Sequence, residues 1–178
     1  ALAEHDGVDK ISFTGSTAVG KALIGAARGN LKRLTLELGG KSPTIILPDA
    51  DLSRAIPGAA NAIFLNSGQV CVAGSRLYVA ETHFDEVLDG LAKIAGHYRL
   101  GPGLDPSTVL GPLVSDRQQQ RVLDYVDGAR AEGATVVTGG KPAGDAGYFV
   151  APTILRDVDA QMRVAQEEIF GPVLVATP

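Results

Sequence analysis

The feature that most constrains this chain is a regular exchange between two hydrophobic periods. Residues 10–14 alternate and are rich in β-formers, residues 18–28 read as a helix, and residues 31–38 read as a second strand. In that strand Leu34, Leu36 and Leu38 share one face and Thr35 and Glu37 the other. The exchange recurs downstream, with strands over 44–47, 77–80, 135–138, 148–155 and 173–176. Helices are expected from Asp51 to about residue 65, over 83–98 and over 116–131. Strands alternating with helices of this length predict an α/β fold built on a mostly parallel sheet with flanking helices.

Punctuation residues set the expected boundaries. The turn Gly15-Ser16-Thr17 offers a helix cap, and Asp51, Thr82 and Ser115 stand where three further helices begin. Pro57 falls near the first turns of its helix, and Pro152 marks strand 148–155 as an edge or a bulge. Gly39-Gly40 reads as a domain boundary, dividing residues 1–39 from residues 40–178. The chain opens without methionine and stops just after a strand begins, so an internal piece of a longer protein is expected.

Composition excludes several classes of function. At 45% hydrophobic, 20% charged and net charge -4, with no run of Lys or Arg, the chain lacks the basic stripe of a nucleic-acid surface. No apolar run reaches the ~18 residues of a membrane span. The single cysteine forms no internal disulfide, and the sequence begins with no secretory pattern, so a cytoplasmic setting is expected.

That cysteine, Cys71, lies within Phe64-Leu65-Asn66-Ser67-Gly68-Gln69-Val70-Cys71-Val72-Ala73-Gly74-Ser75-Arg76. An unpaired thiol is either core filler, the commoner case, or a nucleophile. Upstream stands Leu36-Glu37-Leu38-Gly39-Gly40-Lys41-Ser42-Pro43, whose carboxylate is either a solvated strand residue or a base. A thiol attacks as thiolate, and a carboxylate can serve as its base or as a base for water. A cysteine hydrolase would instead need a histidine partner, and His5, His83 and His97 carry no accompanying signature.

Together the two segments resemble the aldehyde dehydrogenase superfamily, and the likeness continues through Phe13-Thr14-Gly15-Ser16, Gly111-Pro112 and Glu167-Glu168-Ile169-Phe170-Gly171-Pro172-Val173. The resemblance implies NAD(P)-dependent oxidation of an aldehyde to a carboxylic acid, with residues 1–39 the C-terminal part of a Rossmann-like NAD(P)-binding domain and residues 40–178 a C-terminally incomplete catalytic domain. Cys71 is then the nucleophile, passing through a thiohemiacetal and a thioester, and Glu37 the base. It implies NAD or NADP contacts at Thr14, Gly15, Ser16, Leu38, Gln118, Glu168 and Phe170, no metal, and a small-molecule aldehyde as partner. Homo-oligomerisation is common in the family. Arg121 stands where some members have a lysine, and Ala18 where most have glutamate. The resemblance also leaves a second expectation, a folded catalytic-domain fragment with little turnover by itself.

Overall fold

The computed structural model describes residues 1–144 and 146–178. Asp145, in the loop expected before strand 148–155, lies outside the described residues. The chain divides into two compact units, 1–40 and 41–178.

The first unit is a strand-helix-strand. β1 (Lys10–Gly15) and β2 (Arg33–Leu38) pair in parallel, with α1 (Thr17–Ala27) between them in sequence. Both strands alternate strictly, exposing Ser12, Thr14, Thr35 and Glu37 and half-burying Phe13, Leu34, Leu36 and Leu38. Ser16 caps α1, its Oγ accepting from the Val19 N–H at 3.3 Å. Gly20 lets α1 close on β2, since a Cβ there would meet Leu38 Cδ1 at 2.8 Å. Strand β2 begins two residues later than the pattern predicts. Leu31 is 86% exposed at φ 57, in a turn that follows α1, and the Lys32 N–H donates to the Ala27 carbonyl.

The second unit is a five-stranded sheet covered on both faces. Its strands are β3 (Pro43–Ile46), β4 (Arg76–Val79), β5 (Thr135–Thr138), β6 (Thr153–Arg156) and β7 (Val173–Thr177), in the spatial order β3-β4-β7-β6-β5. Every pairing is parallel except β5 with β6. The helices are α2 (Leu52–Phe64), α3 (Phe84–His97), α4 (Asp116–Ala131) and the short α5 (Arg163–Gln166). Two-residue periodicity divides the core. Ile154, Leu174 and Ala176 join Ile63, Phe64, Val87, Leu88 and Leu91 of α2 and α3, whereas Leu155, Val173 and Val175 join Val122, Val126 and Ala129 of α4. β7 is therefore apolar on both sides, as a central parallel strand must be.

Two boundaries depart from the sequence pattern. Thr82 caps nothing: it lies in a 3-10 turn, Glu81–His83, and α3 starts at Phe84 without a side-chain cap bond. β6 is not an edge strand, because it pairs with both β5 and β7 and starts only after Pro152, which places that ring outside the ladder. Pro57 lies inside α2 beyond the first turn, so the helix runs through it one backbone bond short. Ser115 and Asp51 do cap, accepting from the Gln118 and Ser53 N–H groups at 3.2 and 3.0 Å.

Candidate active site

The predicted site residues fall into two groups, one in each unit. In the first unit they collect at the C-terminal end of the two parallel strands. Thr14 stands directly opposite Glu37 and Gly15 opposite Leu38, and the Gly39 N–H donates to the Gly15 carbonyl at 3.4 Å. Thr14 and Glu37 project from the exposed face, away from the leucines. Ser16 follows at once as the α1 cap, and the first turn of α1 holds no acidic side chain. Backbone N–H groups at that helix start, with the positive end of its dipole, suit a phosphate oxygen.

In the second unit the loop carrying Cys71 is built on unusual backbone. After α2, Asn66, Ser67 and Gly68 are all left-handed, with φ of 51, 55 and 71°. Two of the three are not glycine, a conformation that persists only where surrounding contacts enforce it. Those contacts come from the Gly111-Pro112 segment. The Ser67 hydroxyl donates to the Gly111 carbonyl at 2.7 Å, Gln69 Nε2 donates to the Pro112 carbonyl at 3.4 Å, and Gln69 Oε1 accepts from the Val114 N–H at 2.9 Å. Gly68 packs so closely on Gly171 that a Cβ would strike the Gly171 carbonyl. The loop re-enters the sheet through Gly74, whose N–H donates to the Ala62 carbonyl at 2.9 Å.

Cys71 itself is exposed, so it fills no core. Val72 beside it is 73% exposed. The histidines are engaged elsewhere: His83 Nε2 lies 3.0 Å from the Pro48 carbonyl oxygen and His97 Nδ1 lies 2.6 Å from that of Lys93, while His5 Nδ1 accepts from the Gly7 N–H. No Cys-His pair of the hydrolase type is therefore assembled among the described residues of the second unit.

The third element of this group is the segment before β7. Gln118, on the first turn of α4, donates from Nε2 to the carbonyl oxygens of Ile169 and Phe170, each at 2.9 Å, and Arg121 donates to that of Glu168 at 2.8 Å. Phe170 is left-handed at φ 60 and exposed, whereas Ile169 beside it is buried. Cys71, Gln118, Glu168 and Phe170 thus stand on three segments tied together by Gly111, Pro112 and Gly171.

Among the described residues no group of three or more His, Cys, Asp or Glu could hold a metal, and no helix is long and apolar enough to cross a membrane.

The family model for the aldehyde dehydrogenase family matches residues 1–178. The chain belongs to the aldehyde dehydrogenase family. A mitochondrial aldehyde dehydrogenase of Leishmania tarentolae is 53% identical over 173 residues, covering 97% of this chain and 35% of that protein. An aldehyde dehydrogenase from Bacillus cereus, solved as its NAD+ complex, superposes with a TM-score of 0.97 at 50% identity, over 99% of this chain and 36% of that one. A betaine aldehyde dehydrogenase from Staphylococcus aureus, solved in complex with NAD+, superposes at 0.96 and 39% identity, over 98% of this chain and 35% of that one. The chain spans about a third of the length of these relatives.

Within this aldehyde dehydrogenase chain one charged residue stands out that sequence reasoning passed over. Lys41 lies within the glutamate motif and is only 8% exposed, and its Nζ makes no hydrogen bond among the described residues. Burial first, then the Arg76 guanidinium, pushes its ammonium down to about 7, while the Glu168 carboxylate acts in the opposite sense. Its main chain is tied as well, since Arg76 Nε donates to the Lys41 carbonyl at 2.8 Å. Tyr125, Arg163 and Glu167 were also missed. A tyrosine on the inward face of an amphipathic helix reads simply as core, and nothing in its spacing reveals what the hydroxyl meets.

Proposed function

We propose that this chain supplies the nucleophile and the base of an NAD(P)-dependent aldehyde dehydrogenase, and that the 178 residues by themselves form a folded catalytic segment with little or no turnover. The exposed Cys71, on a left-handed loop fastened to Gly111 and Gly171, carries this reading. A thiol presented outward just after backbone that is costly to hold serves chemistry rather than packing. Family membership supplies the reaction class, and the share of the relatives' length that is covered supports the second half of the proposal.

In this reading the Cys71 thiolate, its proton lost to solvent, adds to the aldehyde carbon to give a thiohemiacetal oxyanion, and departure of that carbon's hydride leaves the acyl group as a thioester. Water, losing a proton to the Glu37 carboxylate, releases the carboxylic acid and returns the thiol. A nicotinamide dinucleotide, when bound, supplies the acceptor for the aldehyde's hydride. The residues present fit such a group: the acid-free start of α1 suits its phosphates, and Thr14, Gly15, Ser16 and Leu38, at the same end of the paired strands, would hold it. Glu168 and Phe170, on a fixed segment, offer a carboxylate for ribose hydroxyls and an exposed ring. Gln118 spends its amide donor on main-chain carbonyls, so its role toward the ribose is indirect.

The test is aldehyde-dependent formation of reduced nicotinamide by a full-length family enzyme carrying this segment. Cys71→Ala lowers the rate by roughly three orders of magnitude or more. Glu37→Gln lowers steady turnover about a hundredfold or more and leaves a burst of reduced cofactor as the thioester accumulates. Full activity in Cys71→Ala removes the mechanism. The isolated 178-residue chain takes up one equivalent of a thiol reagent at Cys71 without steady turnover, and sustained turnover by it overturns the second half of the proposal.

A further inference from the structure

The two adjacent carboxylates, Glu167 and Glu168, have divided surroundings. Glu167 accepts from the Tyr125 hydroxyl at 2.6 Å and from Arg163 Nε at 3.0 Å. Tyr125 is a fixed post, 2% exposed in the core between α4 and the sheet. The guanidinium of Arg163 lies 4.2 Å from the centre of its ring and that of Arg121 lies 5.1 Å away, both within cation-π range. Arg121 also donates to the Tyr125 hydroxyl oxygen at 3.1 Å while it holds the Glu168 carbonyl. With Gln118, helix α4 therefore grips three consecutive carbonyls, 168, 169 and 170, the last of them that of the left-handed Phe170.

Hydrogen bonds from ionised groups to main-chain carbonyls are among the stronger ones, and a left-handed phenylalanine persists only where its neighbours over-determine it. The Tyr125 bond first, and Arg163 second, hold the Glu167 carboxyl below the usual carboxylate range, so the anchor stays charged at neutral pH. The Tyr125 ring belongs to the core, but its hydroxyl and the three charged side chains add nothing to apolar burial.

We propose that Tyr125, Arg121, Arg163 and Glu167 are positioning residues for the cofactor side of the site: they lock the backbone of residues 167–170 and so fix where the Glu168 carboxylate is presented. The proposal rests on the reading of Glu168 as the ribose contact. Glu167 is thereby the structural member of the acidic pair and Glu168 the ligand-facing one.

The test uses a full-length family enzyme carrying this segment, with Tyr125→Phe, Arg121→Met and Arg121→Lys, and two readouts. Steady-state kinetics with NAD+ show KM for the cofactor raised roughly tenfold in Tyr125→Phe and Arg121→Met, with kcat falling much less. Arg121→Lys, which keeps one charged donor, recovers part of the loss. Amide hydrogen exchange shows the amides of 168–171 opening faster in both disruptive variants while those of β7 and α4 stay protected. An unchanged cofactor KM overturns the proposal, and so does exchange that rises uniformly across the second unit. If the unmodified enzyme forms no reduced nicotinamide, the proposed function falls instead, and the exchange pattern alone decides whether the clamp exists.

Discussion

The Ser67 hydroxyl donates to the Gly111 carbonyl oxygen at 2.7 Å, fastening the left-handed approach to Cys71 onto a Gly-Pro segment far along the chain. Ser67 is 4% exposed, so this bond forms out of water. Ser67→Ala leaves the half-buried Gly111 carbonyl without its partner and keeps the unfavourable φ, which costs about 1–2 kcal/mol. Urea denaturation of the variant measures the loss. A midpoint equal to that of the unmodified chain removes the bond from the account of how the cysteine loop is held.

Gly68 and Gly58 make a matched pair. Gly68→Ala forces a side chain onto φ 71 and into the Gly171 carbonyl, so the loop and the segment before β7 must separate. We expect a severe loss, roughly 3 kcal/mol or more, with little folded protein recovered. Gly58, inside α2, has nothing within 4 Å of an added Cβ, and Gly58→Ala raises stability by about 0.5–1 kcal/mol. Thermal melts of the two variants decide the point, and similar outcomes contradict it.

Lys41 gives the stability a pH dependence of definite sign. Its ammonium is lowered to about 7 in the folded chain, against about 10.4 when unfolded, so between those values the unfolded chain binds more protons. Stability therefore rises with pH across that window, and the burden is complete below about pH 7. Lys41→Met removes the slope and raises stability at neutral pH by something on the order of a few kcal/mol. Urea melts from about pH 6 to about pH 9 test this. The same slope in Lys41→Met assigns it to another group.

The two arginines around Tyr125 differ in what they hold, and their loss is separable. Arg163→Ala removes a donor to Glu167 and the cation above the ring but leaves the carbonyl grip of Arg121 intact. Its stability cost is small, about 1 kcal/mol, because the Arg163 and Glu167 side chains are each about half exposed, 53% and 52%. High salt weakens this contribution. A loss equal to that of Arg121→Met, or one indifferent to salt, would show that the pair acts otherwise.

Local sequence grammar set much of the fold. The alternation of Leu34, Leu36 and Leu38 placed Glu37 on the exposed face, where it stands opposite Thr14, and Ser16, Asp51 and Ser115 cap the helices their positions announce. Where local signals competed, they misled. Thr82 looked like a cap but lies in a 3-10 turn, and of the edge or bulge that Pro152 suggested the edge failed, because the ladder of β6 begins one residue later, while the β5–β6 register does shift between Val136 and Thr138.

What the chain's order alone determined was therefore periodic: which residues face the sheet's two sides, where helices start, and which two motifs carry a thiol and a carboxylate. Only the tertiary structure decided that Gly111 and Gly171 grip the cysteine loop, that Gln118 and Arg121 turn to main-chain carbonyls, that Tyr125 meets Glu167, and that the Lys41 ammonium is buried with no hydrogen bond among the described residues. The reason is range: caps and strand faces are settled within a few neighbouring residues, whereas each of these contacts depends on segments that only packing brings side by side.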